Sequence, residues 1–324
     1  MAVPNNTVET FDRVGIREDL ADVIYNIAPT ETPFMSNAAS GTAAQTLHEW
    51  QTDGLAAVGT NAQKEGDDYA LGSRAATVRL NNNTQISAKT VGVSGSDQAV
   101  TNAGRGDELA YQLAKMGKEL KRDIEHANIG IENAKASGSS GTARESASVG
   151  TWYGGNEAGT SSSAGNFSVG GSPSASPAGT GATAIAGGSN RTFTEALLKA
   201  GLKKCYELGG NPDVVLMSAS HKQLASAFSG VATLYKNADD RTVIGAVDVY
   251  VSDFGEVSFV PDRHQNANRV DILEMDKWEI SYLRPFQTKE LASSGDNEKR
   301  LLLAEWTLTA RSPNANFGIF NLTA

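Results

Sequence analysis

The sequence contains one cysteine, Cys205, so neither an intramolecular disulfide nor a cysteine-built zinc site can form within the chain. No apolar run approaches the roughly 18 to 20 residues of a membrane-spanning helix. The first residues, Met1-Ala2-Val3-Pro4-Asn5-Asn6, have neither the basic nor the apolar region of a secretory leader, and a cytosolic origin is expected. Sequons such as Asn82-Asn83-Thr84 are therefore not read as glycosylation acceptors. Positive charge is also scarce: 28 Lys and Arg stand against 37 Asp and Glu, a net charge of -9. A protein that grips nucleic-acid phosphates by charge normally shows the opposite balance.

Motifs that carry chemistry are equally sparse. Gly104-Arg105-Gly106 is followed by Leu109 where a dinucleotide fingerprint needs glycine, and there is no Walker A sequence. Ser218-Ala219-Ser220-His221 lacks the Gly-x-Ser-x-Gly elbow, and Ser220 reads as the N-cap of a helix. The acids Glu65, Asp67 and Asp68 do not have the spacing of a calcium loop. Cys205 with His48, His126, His221 or His264 is the one pairing that suggests a Cys-His hydrolase. Cys205 falls on the apolar stripe of a helix, however, where a free cysteine behaves as a small hydrophobe. No catalysis, cofactor or metal is expected.

What the chain does have is length and pattern: 324 residues with 40% hydrophobic content, enough for a sizeable core and about two domains. After a polar start, Leu20, Val23, Ile24 and Ile27 recur at helical spacing up to Pro29. One short amphipathic helix cannot bury its own stripe, so this arm must dock on the body or on a neighbour. Residues 45–51 and 74–93 alternate like two strands around a polar, glycine-dotted stretch at 53–72, which predicts a long hairpin with a wide tip. Leu109, Leu113, Met116, Leu120, Ile124, Ala127 and Ile131 then predict a helix over 107–134, about 42 Å long, capped by Asp107 and lying across a sheet. Residues 137–190 are dominated by Gly, Ser, Ala and Thr and read as a loop or linker.

Beyond that stretch, Thr192-Phe193-Thr194-Glu195 predicts a capping box opening a helix that ends at Gly209-Gly210-Asn211-Pro212. A buried strand at Val214–Met217 and a helix through Leu224 and Phe228 follow. Strands are predicted at 247–252, 256–261, 269–275, 278–283, 301–310 and 317–322. The fold class is α+β, with at least two sheets on a chain that leaves a domain and returns to it.

The order of these parts resembles the tailed-bacteriophage major capsid proteins with the HK97-like fold. Local stretches carry the likeness from about residue 9 to 310: Asp19–Pro29 with Thr32-Pro33-Phe34, Arg191–Leu198, Gly209–Pro212, Val249–Gly255, Arg284–Thr288 and Gly295–Arg300. The resemblance implies an N-terminal arm (1–40) and an extended loop (41–85). It further implies a peripheral domain with a spine helix (86–190 and 286–324) and a mixed α/β axial domain (191–285). It also implies self-assembly into pentamers and hexamers of an icosahedral shell enclosing double-stranded DNA without sequence-specific contacts. A separate scaffolding protein, a portal and a decoration protein are the other expected partners, with assembly in the host cytoplasm and residence in the virion. Candidate inter-subunit residues are Leu20, Ile24, Trp50, Lys64, Glu65, Asp67, Asp68 and Arg79. An acidic subunit suits a container, since a lumen coated with cations would hold DNA back. The competing readings are a tail, sheath or surface-layer protein and the hydrolase.

Overall fold

The computed structural model describes residues 31–323 except 57, 67, 69, 70, 73, 75, 101–105, 155–165 and 229–247. The predicted arm helix, with Leu20 and Ile24, lies outside the described residues, as does Asp67. The elements, in order, begin with α1 (Pro33–Asn37), β1 (Ala39–Thr42), β2 (Leu47–Thr52), β3 (Val78–Asn83), β4 (Gln85–Ser94) and α2 (Gly95–Ala99). Next come α3 (Glu108–Glu125), continued by a π-helical turn at His126–Gly130, and then β5 (Phe167–Ser168), β6 (Pro173–Ala175) and β7 (Ala186–Gly187). The remainder is α4 (Glu195–Glu207), β8 (Val214–Met217), α5 (Ala219–Ser226), β9 (Val249–Ser252), β10 (Gly255–Pro261), β11 (Val270–Leu273), β12 (Trp278–Leu291), β13 (Asn297–Ala310) and β14 (Phe317–Ile319).

Two sheets organise the chain. The first has order β1-β12-β13-β4, built on an antiparallel β12–β13 ladder running from Trp278 opposite Ala310 to Leu291 opposite Lys299. Its register shifts on both sides of Arg284, beside Pro285, whose missing N–H cannot join a ladder. Helix α3 lies across β4 and β13 and buries Leu109, Met116, Leu120 and Ile124. The Asp107 side chain accepts the Ala110 N–H as N-cap, as expected. The helix is shorter than the pattern suggests. Helical structure stops at Gly130, about 35 Å from its start at 1.5 Å per residue, and Ile131 is already extended. The reason is tertiary: the Ile129 carbonyl is taken by the Arg269 guanidinium (2.8 Å) and the Asn266 N–H (3.2 Å) of a distant loop.

The second sheet has order β5-β14-β11-β8-β10-β9. Its central strand β8 alternates between two cores, which is why it reads as a continuous apolar run. Val214 and Leu216 face the core shared with α3 and the first sheet, and Val215 and Met217 face a core with Leu198, Leu202 and Cys205 of α4. Residues 278–282 and 284 pair in the first sheet and 317–319 in the second, so each sheet draws on distant parts of the chain.

Local signals were translated with some shifts. No capping box forms at α4: Thr194 is the N-cap without a side-chain bond, and Glu195 instead pairs with Lys199 (2.8 Å) and accepts the Tyr250 hydroxyl (3.2 Å). Gly209 ends that helix in the left-handed region at φ 82°. At α5 the N-cap is Ser218 rather than Ser220, because the Ser218 hydroxyl bonds His221 Nδ1 (2.8 Å) and fixes the turn one residue pair earlier.

The Gly/Ser-rich stretch is not a free linker where it is described. Trp152 and Tyr153 are fully buried, and Ala147, Val149 and Phe167 join the first core. Asn166 donates to the carbonyls of Pro313 (2.6 Å) and Asn316 (2.7 Å), and Lys135 Nζ donates to the Asn81 side chain (2.7 Å) and the Thr180 carbonyl (2.8 Å). A few large residues and buried amides pin a segment whose average composition suggests none of this.

Candidate assembly surfaces

The hairpin is anchored at its base and bare at its tip. β2 and β3 pair from Leu47 opposite Asn83 to Thr52 opposite Val78. At the base, Leu80 is buried, Trp50 Nε1 donates to the Ala310 carbonyl (2.9 Å), and the Trp50 ring packs on Trp152 at 5.4 Å. Trp50, singled out for contact between subunits, therefore spends its N–H and two ring contacts, with Trp152 and His48, inside its own chain. The predicted strand over 74–93 breaks at Thr84, with β3 staying in the hairpin and β4 joining the first sheet. Thr84 donates its N–H to the Thr46 carbonyl (2.8 Å) and its hydroxyl to Glu305 (2.9 Å). Beside it Asn82, fully buried, donates to the Leu308 carbonyl (2.7 Å) and accepts the Ala147 N–H (2.9 Å). Glu305, also buried, is paired with Arg144 (2.6 Å) and Arg284 (2.7 Å). This polar joint holds the projection rigid at its root.

Beyond Thr52 the described residues are exposed and form no strand until Val78. Leu55, Val58 and Leu71 are wholly exposed, at 102%, 104% and 101%. Three aliphatic side chains without any cover in one projection are the kind of surface a partner buries. Lys64, Glu65 and Asp68 stand on the same exposed tip, and Arg79 forms an exposed pair with Glu49 (3.4 Å) on the hairpin stem.

A second surface surrounds the point where the arm enters the body. Phe34 is fully buried against Trp278, ring to ring at 6.2 Å. The N–H groups of Phe34 and Met35 donate to the two carboxyl oxygens of Glu125 (2.7 and 2.9 Å) at the end of α3. Burial, then the neighbouring Asp262 carboxyl, push the Glu125 carboxyl up to about 8, against the pull of the two N–H donors. Next to this anchor is a groove lined by Thr32, Met35, Lys121, Tyr282, Pro285 and Phe286. The solvent face of α3 running away from it presents Lys115, Lys118 and Lys121, all exposed. The helix acids Glu119 and Asp123 flank this strip of lysines on the side toward β4 and are paired with Lys89 (3.3 and 2.9 Å).

Cys205 is fully buried, and burial with the nearby Glu274 charge raises its thiol to about 12, the reverse of nucleophile activation. Among the described residues no group of three or more His, Cys, Asp and Glu side chains could hold a metal ion. A further set of buried charges forms a structural hub around Arg269. Arg269 reaches Asp271 (2.9 Å) and Glu132, while Asp271 also accepts from Tyr153 (2.7 Å) and Gln265 (2.7 Å). Burial would lower the Arg269 pKa, yet the charges of Asp271 and Glu132 raise it overall. Asn82, Glu125 and Glu305 escape a sequence reading because no local pattern marks a polar residue whose tertiary partners are 21 to 226 positions away.

Comparison with known proteins agrees with this architecture. The profile of the SU10 major capsid protein family matches residues 3–323. The major capsid protein of Escherichia phage Phieco32 is 44% identical over 117 residues, 36% of this chain and 33% of that relative, so the match spans about a third of its length. The Cyanophage A-1(L) capsid asymmetric unit superposes with a TM-score of 0.68 at 15% identity, covering 98% of this chain and 99% of the other. The capsid of a native GTA particle gives 0.65 at 11% identity, covering 99% and 100%. At these identities the structural likeness establishes the shared HK97-like α+β capsid fold. From profile and architecture together, the chain belongs to the SU10 major capsid protein family.

Proposed function

We propose that this chain is the major subunit of a phage capsid, self-assembling as pentamers and hexamers into an icosahedral shell around double-stranded DNA, and that it performs no catalysis. The observation that carries the reading is the hairpin: a stem locked by Trp50, Leu80 and the Thr84–Glu305 joint, projecting a tip whose Leu55, Val58 and Leu71 have no cover. A lone subunit has no use for such a projection. Repeated head-to-tail contacts that bury it close into rings, and obligate interfaces of this kind reach roughly 2,000 Å² and more.

In this reading residues 1–40 are the arm and 41–85 the extended loop. Residues 86–190 with 286–324 make the peripheral domain, and 191–285 the axial domain packed at the five-fold and quasi-six-fold centres. Lys64, Glu65, Asp67, Asp68 and Arg79 lie on the hairpin, and Leu20 and Ile24 on the arm, where neighbouring copies would meet them. The net acidic chain confines DNA without gripping it. A scaffolding protein, a portal and a decoration protein are separate chains, and the shell forms in the host cytoplasm.

Negative-stain electron microscopy of the expressed protein across salt and pH tests this reading, with closed shells or five- and six-membered rings expected. Deletion of residues 54–72 should leave a soluble, folded subunit that no longer forms them. Intact shells from that deletion would remove the hairpin's role, and helical tubes or planar sheets from the full chain would favour a tail or surface-layer protein.

A further inference from the structure

One strip of the exposed side of α3 is basic, flanked by the acids Glu119 and Asp123, although the chain as a whole carries a net charge of -9. Lys115, Lys118 and Lys121 follow one another at intervals of three along that face, and no described acidic side chain pairs with them. At its C-terminal end the face runs into the apolar groove of Met35, Tyr282, Pro285 and Phe286, into which Lys121 also opens. The groove exists because β12 loses register around Arg284 and Pro285 and turns Tyr282 and Phe286, 5.9 Å apart, toward α1.

We propose that this basic face and its groove seat the chain's own residues 9–31. Three observations select that occupant. The chain enters the body at the rim of the groove, since Thr32 lines it and Phe34 is locked to Glu125 two residues later. The charges are complementary: residues 9–31 carry Glu9, Asp12, Glu18, Asp19, Asp22 and Glu31 against only Arg13 and Arg17. The apolar pattern also matches, because Leu20, Val23, Ile24 and Ile27 form a stripe that the groove can take while Glu18, Asp19 and Asp22 approach the lysines. The lengths agree as well. Lys115 to Lys121 covers about 9 Å of helix, and a helix over residues 20–27 is about 12 Å long. The inference rests on reading residues 1–40 as an arm, and it assigns that arm a seat on its own subunit before assembly, from which Leu20 and Ile24 would be released to meet neighbouring copies in the shell.

Zero-length carbodiimide crosslinking of the unassembled full-length chain, prepared as an equal mixture of ¹⁴N- and ¹⁵N-labelled protein, reads this directly. Coupling of Glu18, Asp19 or Asp22 to Lys115, Lys118 or Lys121 within peptides of a single isotope is expected. Mixed-isotope pairs would place the arm on a second copy, and coupling of the lysines to Glu65 or Asp68 would give the seat to a hairpin tip. Either result, or no coupling at these lysines, overturns the proposal. The triple variant Lys115→Glu, Lys118→Glu, Lys121→Glu changes only exposed positions and should abolish hydrogen-exchange protection over 18–27 while 108–125 stays protected. Should that variant not fold, the pair Leu20→Asp and Ile24→Asp replaces it, with crosslink yield expected to drop several-fold; unchanged protection or yield counts against the seat. Because the readout precedes assembly, its failure is distinct from a failure to form shells.

Discussion

The Glu125–Asp262 pair, beside the point where the chain enters the body, makes the stability of the subunit depend on pH. Glu125 is fully buried and Asp262 nearly so, at 0% and 2% exposure. Glu125 accepts two backbone N–H groups that fix Phe34 and Met35, while Asp262 accepts the His264 N–H (2.7 Å). Burial first, and the facing Asp262 second, raise the Glu125 carboxyl from 4.5 to about 8. The folded chain therefore holds a proton that the unfolded chain has already released over that interval. With more protons bound in the native state, stability falls as pH rises. The slope is about 1.4 kcal/mol per pH unit between roughly pH 5 and 8, and roughly 4 kcal/mol accumulates across the window.

His264, whose N–H Asp262 accepts, feels the charges of Asp262, Arg122, His126 and Arg263. Burial lowers the His264 pKa, a change that acts in the opposite direction at the acid end, so the diagnostic quantity is a difference between variants. Asp262→Asn keeps an oxygen for the His264 N–H and turns an amide donor toward Glu125. Urea unfolding of the unassembled chain at pH 5.5, 6.5, 7.5 and 8.5 should show this variant gaining about 1–2 kcal/mol over the parent at pH 8.5 and almost nothing at pH 5.5. Glu125→Gln should flatten the profile while costing about 1–3 kcal/mol at low pH, since one N–H then meets an amide donor. Parallel curves for the parent and Asp262→Asn would refute the coupling.

Three further outcomes follow from the same packing. Leu120→Asp places an unpaired carboxylate at a site with 1% exposure in the first core and should yield no folded subunit by circular dichroism, a loss of more than about 4 kcal/mol. Tyr153→Phe leaves Asp271 one donor short in the buried hub and should lower stability by about 1–3 kcal/mol in chemical unfolding, without altering the far-ultraviolet spectrum. Cys205 should be inert to a thiol reagent at pH 8 in the native chain and react on unfolding; rapid native labelling would contradict both its burial and its raised pKa.

The elements readable from sequence are those whose signal is local. The α3 stripe, the Asp107 cap, the Gly209 terminus and the apolar run of β8 depend on neighbours within a turn or a strand, and each appears in place. The misplacements have distant causes. α3 extends to Ile131 by periodicity, and it stops because Arg269 and Asn266 claim the Ile129 carbonyl from 140 and 137 residues away. The strand over 74–93 looks continuous, since alternation cannot reveal that Thr84 is tied to Glu305 and that its two halves pair with different sheets. Ser220 yields its predicted capping place to Ser218 for a bond to His221, a choice between two serines that composition leaves undecided.

The same distinction accounts for the surfaces. Helical spacing in the arm and polarity in the hairpin tip mark segments that cannot bury themselves, and this much is visible in the sequence. What the tip exposes is not: Leu55 and Val58 bracket two alanines between glycines, Leu71 stands apart, and the three form no extended periodic stripe. The Gly/Ser-rich stretch shows the converse, where an apparent linker becomes core through two adjacent aromatics, Trp152 and Tyr153, and the buried amide of Asn166. Low average hydrophobicity thus has opposite meanings in the two segments, and the deciding variable is whether the few large residues reach a partner within the chain. Those of 147–153 and 167 do; those of the hairpin tip meet none among the described residues, which is the physical reason to look for their partner in another copy.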